Sequence, residues 1–201
     1  MFVDLSVVLN EQTPVYPGDP QIKISSAGVF EKDGYSDYII TFGNHNGTHV
    51  DAPSHMIANG KTLDQFTPEA FTGRGVLVDV QKGFSLDLVQ NSEIQQADIV
   101  LFQTGMNFGR GEYFTKYPAM DEEIARYLVE KKPKMIGIDT CSIDNSEGFP
   151  IHKILLKNEI LIIENLTNLS SLQNKKVTVY AFPLKFQIDG SPARVVAEIK
   201  E

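Results

Sequence analysis

The chain is 201 residues long, 42 % hydrophobic, and carries a net charge of −8 from 26 acidic and 18 basic residues. These values fit one globular domain, and with no basic run beyond Lys131-Lys132 and Lys175-Lys176 they argue against nucleic acid or an anionic membrane surface as partner. A lone cysteine, Cys141, excludes an internal disulfide, and no apolar run approaches the ~18 residues of a membrane span.

Phe2 to Leu9 is rich in Val and Leu and reads as a first strand. With no basic segment and no long apolar one, MFVDLSVVLNEQ is expected to be mature sequence rather than a signal peptide, in a soluble cytoplasmic protein. Thr13 to Pro20 (TPVYPGDP) holds three prolines and a Pro-Gly pair and is a stiff loop. Ile22–Ser25 and Tyr38–Phe42 read as strands, and Gly75–Val80 and Asp98–Gln103 as buried ones. Asp121 to Lys132 is the clearest helix, with acids in its first turn, lysines in its last and Pro133 beyond. Lys134–Asp139 follows as a strand, then a short helix from Pro150 to Leu156 ended by Asn158. Strands over Ile160–Ile163, Val177–Phe182 and Ala193–Ile199 complete the chain. Strands outnumber helices without a regular βαβ alternation, so a mixed-sheet α/β fold is expected over residues 1–201 as a single domain.

Three of the four histidines lie in HNGTHVDAPSH, His45 to His55. On a helix Asp51 would sit about 200° round from His49, and Gly47, Val50 and Pro53 also oppose a helix. On one flat strand His45 and His49 would be ~13 Å apart, too far for one ion with ~2.0 Å bonds. A turn at Gly47 followed by extended chain from His49 to Asp51 brings His45, His49 and Asp51 together, and Pro53 returns His55 to the edge of the site. Two imidazoles and a carboxylate suit Zn²⁺, Mn²⁺ or Fe²⁺. The competing readings are surface histidines in a turn and a structural metal, although structural sites are usually closed and cysteine-rich. Taken alone, His152 reads first as an exposed helix cap and Glu164 as a solvated strand end. Spacing does not say whether either joins the cluster.

HNGTHVDAPSH is similar to the HxGTHxDxPxH signature of the cyclase-like metal-dependent hydrolases, a family that includes bacterial kynurenine formamidases. TPVYPGDP, FQTG (Phe102–Gly105), GIDTCSID (Gly137–Asp144), IHKILLKNEILIIENL, AFPLKF and DGSPAR resemble further family segments. The resemblance implies a swivelling β/β/α fold, with His45, His49, Asp51, His152 and Glu164 as ligands of one or two divalent ions, zinc first and manganese as the alternative. It implies a catalytic proton-transfer role for His55. It also implies a homodimer or homotetramer in which a neighbour's loop completes the pocket. Tyr16 stands where formamidases carry Trp and would wall the substrate pocket, while Cys141 stands where proline is more usual and reads as a small buried residue. The implied activity is hydrolysis of a small amide by metal-activated water, arylformamidase-type first, as in tryptophan breakdown. A lactam or lactone hydrolase, or a non-catalytic metal-binding relative, is the alternative.

Overall fold

The computed structural model describes residues 1–200. In chain order the strands are β1 (Phe2–Asp4), β2 (Lys23–Gly28), β3 (Asp37–Thr41), β4 (His49–Asp51), β5 (Thr72–Asp79), β6 (Ile99–Gln103), β7 (Met135–Ile138), β8 (Leu161–Glu164), β9 (Val177–Pro183) and β10 (Gly190–Ile199). The α-helices are α1 (Phe30–Asp33), α2 (Leu86–Gln90), α3 (Glu122–Lys131) and α4 (Pro150–Lys157).

The main sheet runs β1-β10-β4-β8-β7-β6-β5-β9, and β9 pairs back onto β10. Seven strands therefore close into a barrel-like ring, with β1 added along β10. Strands β5 to β8 are parallel and the remaining pairs antiparallel, so the expected mixed sheet is present. A parallel segment needs covering on both faces. Ile99, Leu101, Met135, Leu161 and Ile163 turn into the ring. Val100, Phe102, Ile136, Ile138 and Ile162 turn outward beneath α3 and α4. This two-sided burial is why these strands read as continuous apolar runs. Gly137 lies where the ring is tightest, since a Cβ there would stand 2.7 Å from both Leu101 Cδ2 and Leu166 Cδ1.

Helix α3 begins as expected: the Asp121 carboxylate accepts from Ile124 N–H at 3.0 Å, and Ile124, Ala125 and Leu128 form its buried face. Helix α4 ends at Asn158. The first strand is shorter than expected. Leu5 turns into the core and is fully buried, and the next N–H groups leave the ladder for Asp4 Oδ1 and Thr48 Oγ1. Two short helices were not expected. Helix α1 is a single turn closed by Gly34 at φ 76°, and Ser85 Oγ caps α2. Strands β2 and β3 form a separate two-stranded ribbon.

Candidate metal centre

Parity on β4 and β8 places the site. Val50 and Ile163 point into the ring, so His49 and Asp51 on β4, and Glu164 on β8, point outward. His49 is directly opposite Glu164 in the antiparallel register. The site thus forms at the carboxyl end of a parallel strand, beside the helix side of the sheet.

His45 reaches it from a tight turn, as the spacing requires. Asn46 N–H bonds Gly43 O at 3.0 Å, and Gly47 adopts φ 64°. The ring of His45 lies 5.0 Å from that of His49, centroid to centroid. Gly190 permits this approach: a Cβ there would stand 2.6 Å from His45 Cε1. Beyond β4, a 3₁₀ turn over Pro53–His55 carries the His55 ring to 4.1 Å from His45 and 5.9 Å from His152. His152, on α4, is only 2 % exposed and Glu164 only 5 %. Neither is a solvated cap or strand end, so the fold brings all four histidines to one place.

Asp51 is the hub. Its Oδ1 lies 2.8 Å from His45 Nδ1 and 3.3 Å from His49 Nε2, and its Oδ2 lies 3.7 Å from His152 Nε2. Glu164 closes the other side, with Oε1 3.2 Å from His152 Nε2 and Oε2 3.7 Å from His49 Nε2. Two groups with ligand atoms mutually within 4.8 Å share Asp51: His45, Asp51 and His55, and His49, Asp51 and Glu164.

Surrounding groups orient these side chains. His49 Nδ1 is held by Gly47 O at 2.8 Å, which leaves Nε2 facing the carboxylates. Asp144 does the same for His152, bonding Nδ1 at 2.7 Å while accepting from the Ile151 and His152 N–H groups that open α4. Ile143 N–H donates to Glu164 Oε1 at 2.8 Å. Asp189 bonds His55 Nδ1 at 3.0 Å, His45 Nε2 at 3.1 Å and the Asn44 amide at 2.8 Å.

The donors fit a divalent cation. Asp51 Oδ2 is buried with no hydrogen-bond partner, a costly state for a carboxylate oxygen. Burial opposes charge on His45, His49 and His152, yet the adjoining carboxylates outweigh it and raise all three, His45 to about 9. Burial likewise opposes charge on Asp51, but His49 and His45 hold it well below the usual carboxylate range. The site therefore demands positive charge, and inward-turned imidazole nitrogens and carboxylate oxygens suit a borderline ion.

A cavity of about 250 Å³ opens over these residues. His55, Tyr16, Phe108, Phe114 and Phe149 form part of its lining, and the Tyr16 ring meets Phe114 edge-on at 6.2 Å. Cys141 is buried beside it and bonds Tyr113 O. Burial pushes its thiol up to about 12, as befits a packing residue. Reading the sequence missed Asp144 and Asp189 as supports. Both lie in quoted segments, GIDTCSID and DGSPAR, but each is a lone carboxylate with no spacing signal of its own.

Comparison with known proteins agrees with this architecture. The model of the cyclase family, described as "Putative cyclase", matches residues 3–145. An uncharacterized protein of Methanocaldococcus jannaschii is 37 % identical over 186 residues, covering 90 % of this chain and 91 % of that one. A kynurenine formamidase of Bacillus cytotoxicus is 28 % identical, covering 97 % and 96 %. Isatin hydrolase A of Labrenzia aggregata, solved with benzyl benzoate, superposes with a TM-score of 0.90 at 26 % identity, covering 100 % and 94 %. The matched length and the closed mixed sheet lead to one conclusion: this chain belongs to the cyclase family.

Proposed function

We propose that the protein is a metal-dependent hydrolase of small amides, with His45, His49, Asp51, His152 and Glu164 holding one or two divalent ions, zinc first and manganese as the alternative. The observation that carries this reading is the buried, unpartnered Asp51 Oδ2 at the centre of four histidines and Glu164. A divalent ion bound there supplies an acidified water near neutral pH and positive charge for the developing oxyanion. His55 lines the cavity, and with Nδ1 on Asp189 its Nε2 is free to move a proton to the leaving amine. Tyr16, Phe108, Phe114 and Phe149 wall the acyl or aryl group and exclude water.

The first substrate class is an aryl formamide, N-formylkynurenine giving kynurenine and formate, in a cytoplasmic enzyme of tryptophan breakdown. The kynurenine formamidase relatives support it. The second is ring opening of a cyclic amide or lactone. One observation favours it: among the described residues no lysine or arginine lines the cavity, so no such side chain is there to pair with an amino-acid carboxylate. The likeness to isatin hydrolase A points the same way. Incubating metal-reconstituted protein with N-formylkynurenine, and separately with neutral cyclic amides, separates the two. Chelator-sensitive kynurenine formation supports the first. Turnover of the cyclic amides alone supports the second. Bound metal with no amide hydrolysis would leave a non-catalytic metal-binding protein.

A further inference from the structure

Away from the histidines, the cavity has a second chemical character. Tyr16, Phe108, Phe114 and Phe149 give it aromatic walls, and Asp19 adds an acidic residue to them. Tyr16 and Asp19 are the two ends of one tight turn. Asp19 N–H bonds Tyr16 O at 2.9 Å, with Pro17 and Gly18 between them and Gly18 at φ 101°. Proline followed by a positive-φ glycine is the pattern of a type II turn, whose end residues lie within about 7 Å, Cα to Cα. The turn therefore delivers an aromatic ring and a carboxylate to the cavity together.

The two acids that line the cavity differ. Glu164 is engaged by Ile143 N–H, His152 and His49. Asp19 is half-buried, and its carboxylate has no ion-pair or hydrogen-bonding partner among the described residues. The rings beside it form a corner. Tyr16 meets Phe114 at 87°, and the buried Tyr113 holds Phe114 from behind at 5.0 Å and 89°. Tyr16 and Phe149 remain 40 % and 38 % exposed, so their surfaces are open to an occupant. Aromatic faces attract a cation, and a neighbouring carboxylate attracts the same cation and repels an anion.

We propose that Asp19 and these rings form a cation subsite, so that the favoured substrate is a small aryl amide bearing a protonated amine and no carboxylate. The amide part of this rests on the hydrolase reading, and the charge part on the cavity walls alone. An α-amino acid would place its ammonium here and find no lysine or arginine for its carboxylate.

Three ring substituents that differ in charge test it: aminomethyl, methyl and carboxylate, each at the meta and para positions. The substituted anilines, which cannot be hydrolysed, report binding by calorimetry, and the matching formanilides report turnover. Metal-reconstituted protein is expected to bind the aminomethyl compound about tenfold more tightly than the methyl one, with the carboxylate weakest, and salt should narrow the differences. Asp19→Asn should abolish the preference for the cation, whereas Asp19→Glu, which keeps the charge, should retain it. Native metal content is the folding control for both. Equal binding of the three compounds, tightest binding of the carboxylate, or an unchanged order in Asp19→Asn would overturn the subsite. Bound metal with no formanilide turned over would count against the hydrolase reading instead, because calorimetry reads the charge order either way.

Discussion

Asp189 Oδ2 lies 3.0 Å from His55 Nδ1 although 134 residues separate the two in the chain. The carboxylate sits one residue before β10, whose first residues pair with β4. Sheet register, not local sequence, therefore delivers it to the histidine. It holds one ring nitrogen of His55, the kind of support that the proposed proton-transfer role requires.

Replacing Asp189 by Asn should keep the fold and lower kcat roughly 10–100-fold, with KM nearly unchanged. Steady-state kinetics beside a metal assay checks this. A change confined to KM would mean that Asp189 serves substrate binding instead.

His55→Ala should retain bound metal and lose turnover by roughly 10²–10⁴-fold, the usual worth of a positioned proton donor. Elemental analysis of the purified variant is the control. Loss of metal would make His55 a ligand, which its place in the group with His45 and Asp51 also allows geometrically.

Tyr16→Ala removes one aromatic wall of the cavity. It should weaken kcat/KM for aryl amides about tenfold, in line with a lost aromatic contact, and spare a small aliphatic amide. An equal loss for both would place Tyr16 in the general fold rather than in selectivity.

The Cys141 thiol, pushed up to about 12 by burial, is neutral at pH 8. In metal-stripped protein its alkylation by iodoacetamide should be roughly a thousandfold slower than that of a free cysteine, and should rise about tenfold per pH unit while the fold persists. Cys141→Ala should remain active. Fast labelling at pH 8 would contradict the buried, unionised assignment.

Gly137→Ala pushes a methyl against Leu101 and Leu166 inside the ring. Overpacking of this kind costs about 1–3 kcal/mol, seen as a lower midpoint in denaturant with an unchanged slope.

Much of this was readable from residue order. The buried strands β6 to β8 announced themselves as apolar runs, and α3 through its terminal charges and Pro133; β5, read as equally buried, is mostly half-buried, with Arg74 and Asp79 exposed. The turn at Gly47 and the extended His49–Asp51 segment followed from reach alone, and both are present. What residue order could not show depends on long-range pairing. Closure of the ring by β9 and β10, the meeting of His49 with Glu164, and the arrival of Asp189 are all set by register between distant strands. Isolated carboxylates such as Asp144 and Asp189 have no periodic signature, and the surface exposure of the β2–β3 ribbon is invisible until its neighbours are placed.

In the proposed hydrolase, amide hydrolysis depends on the metal held around Asp51. The most direct measurement is metal content and amide hydrolysis of His49→Ala and the native protein, purified and reconstituted in parallel. The native protein is expected to bind a divalent ion and to lose activity with chelator, and the variant to be folded with neither ion nor activity. A metal-free His49→Ala protein that still hydrolyses the amide at the native rate would contradict it.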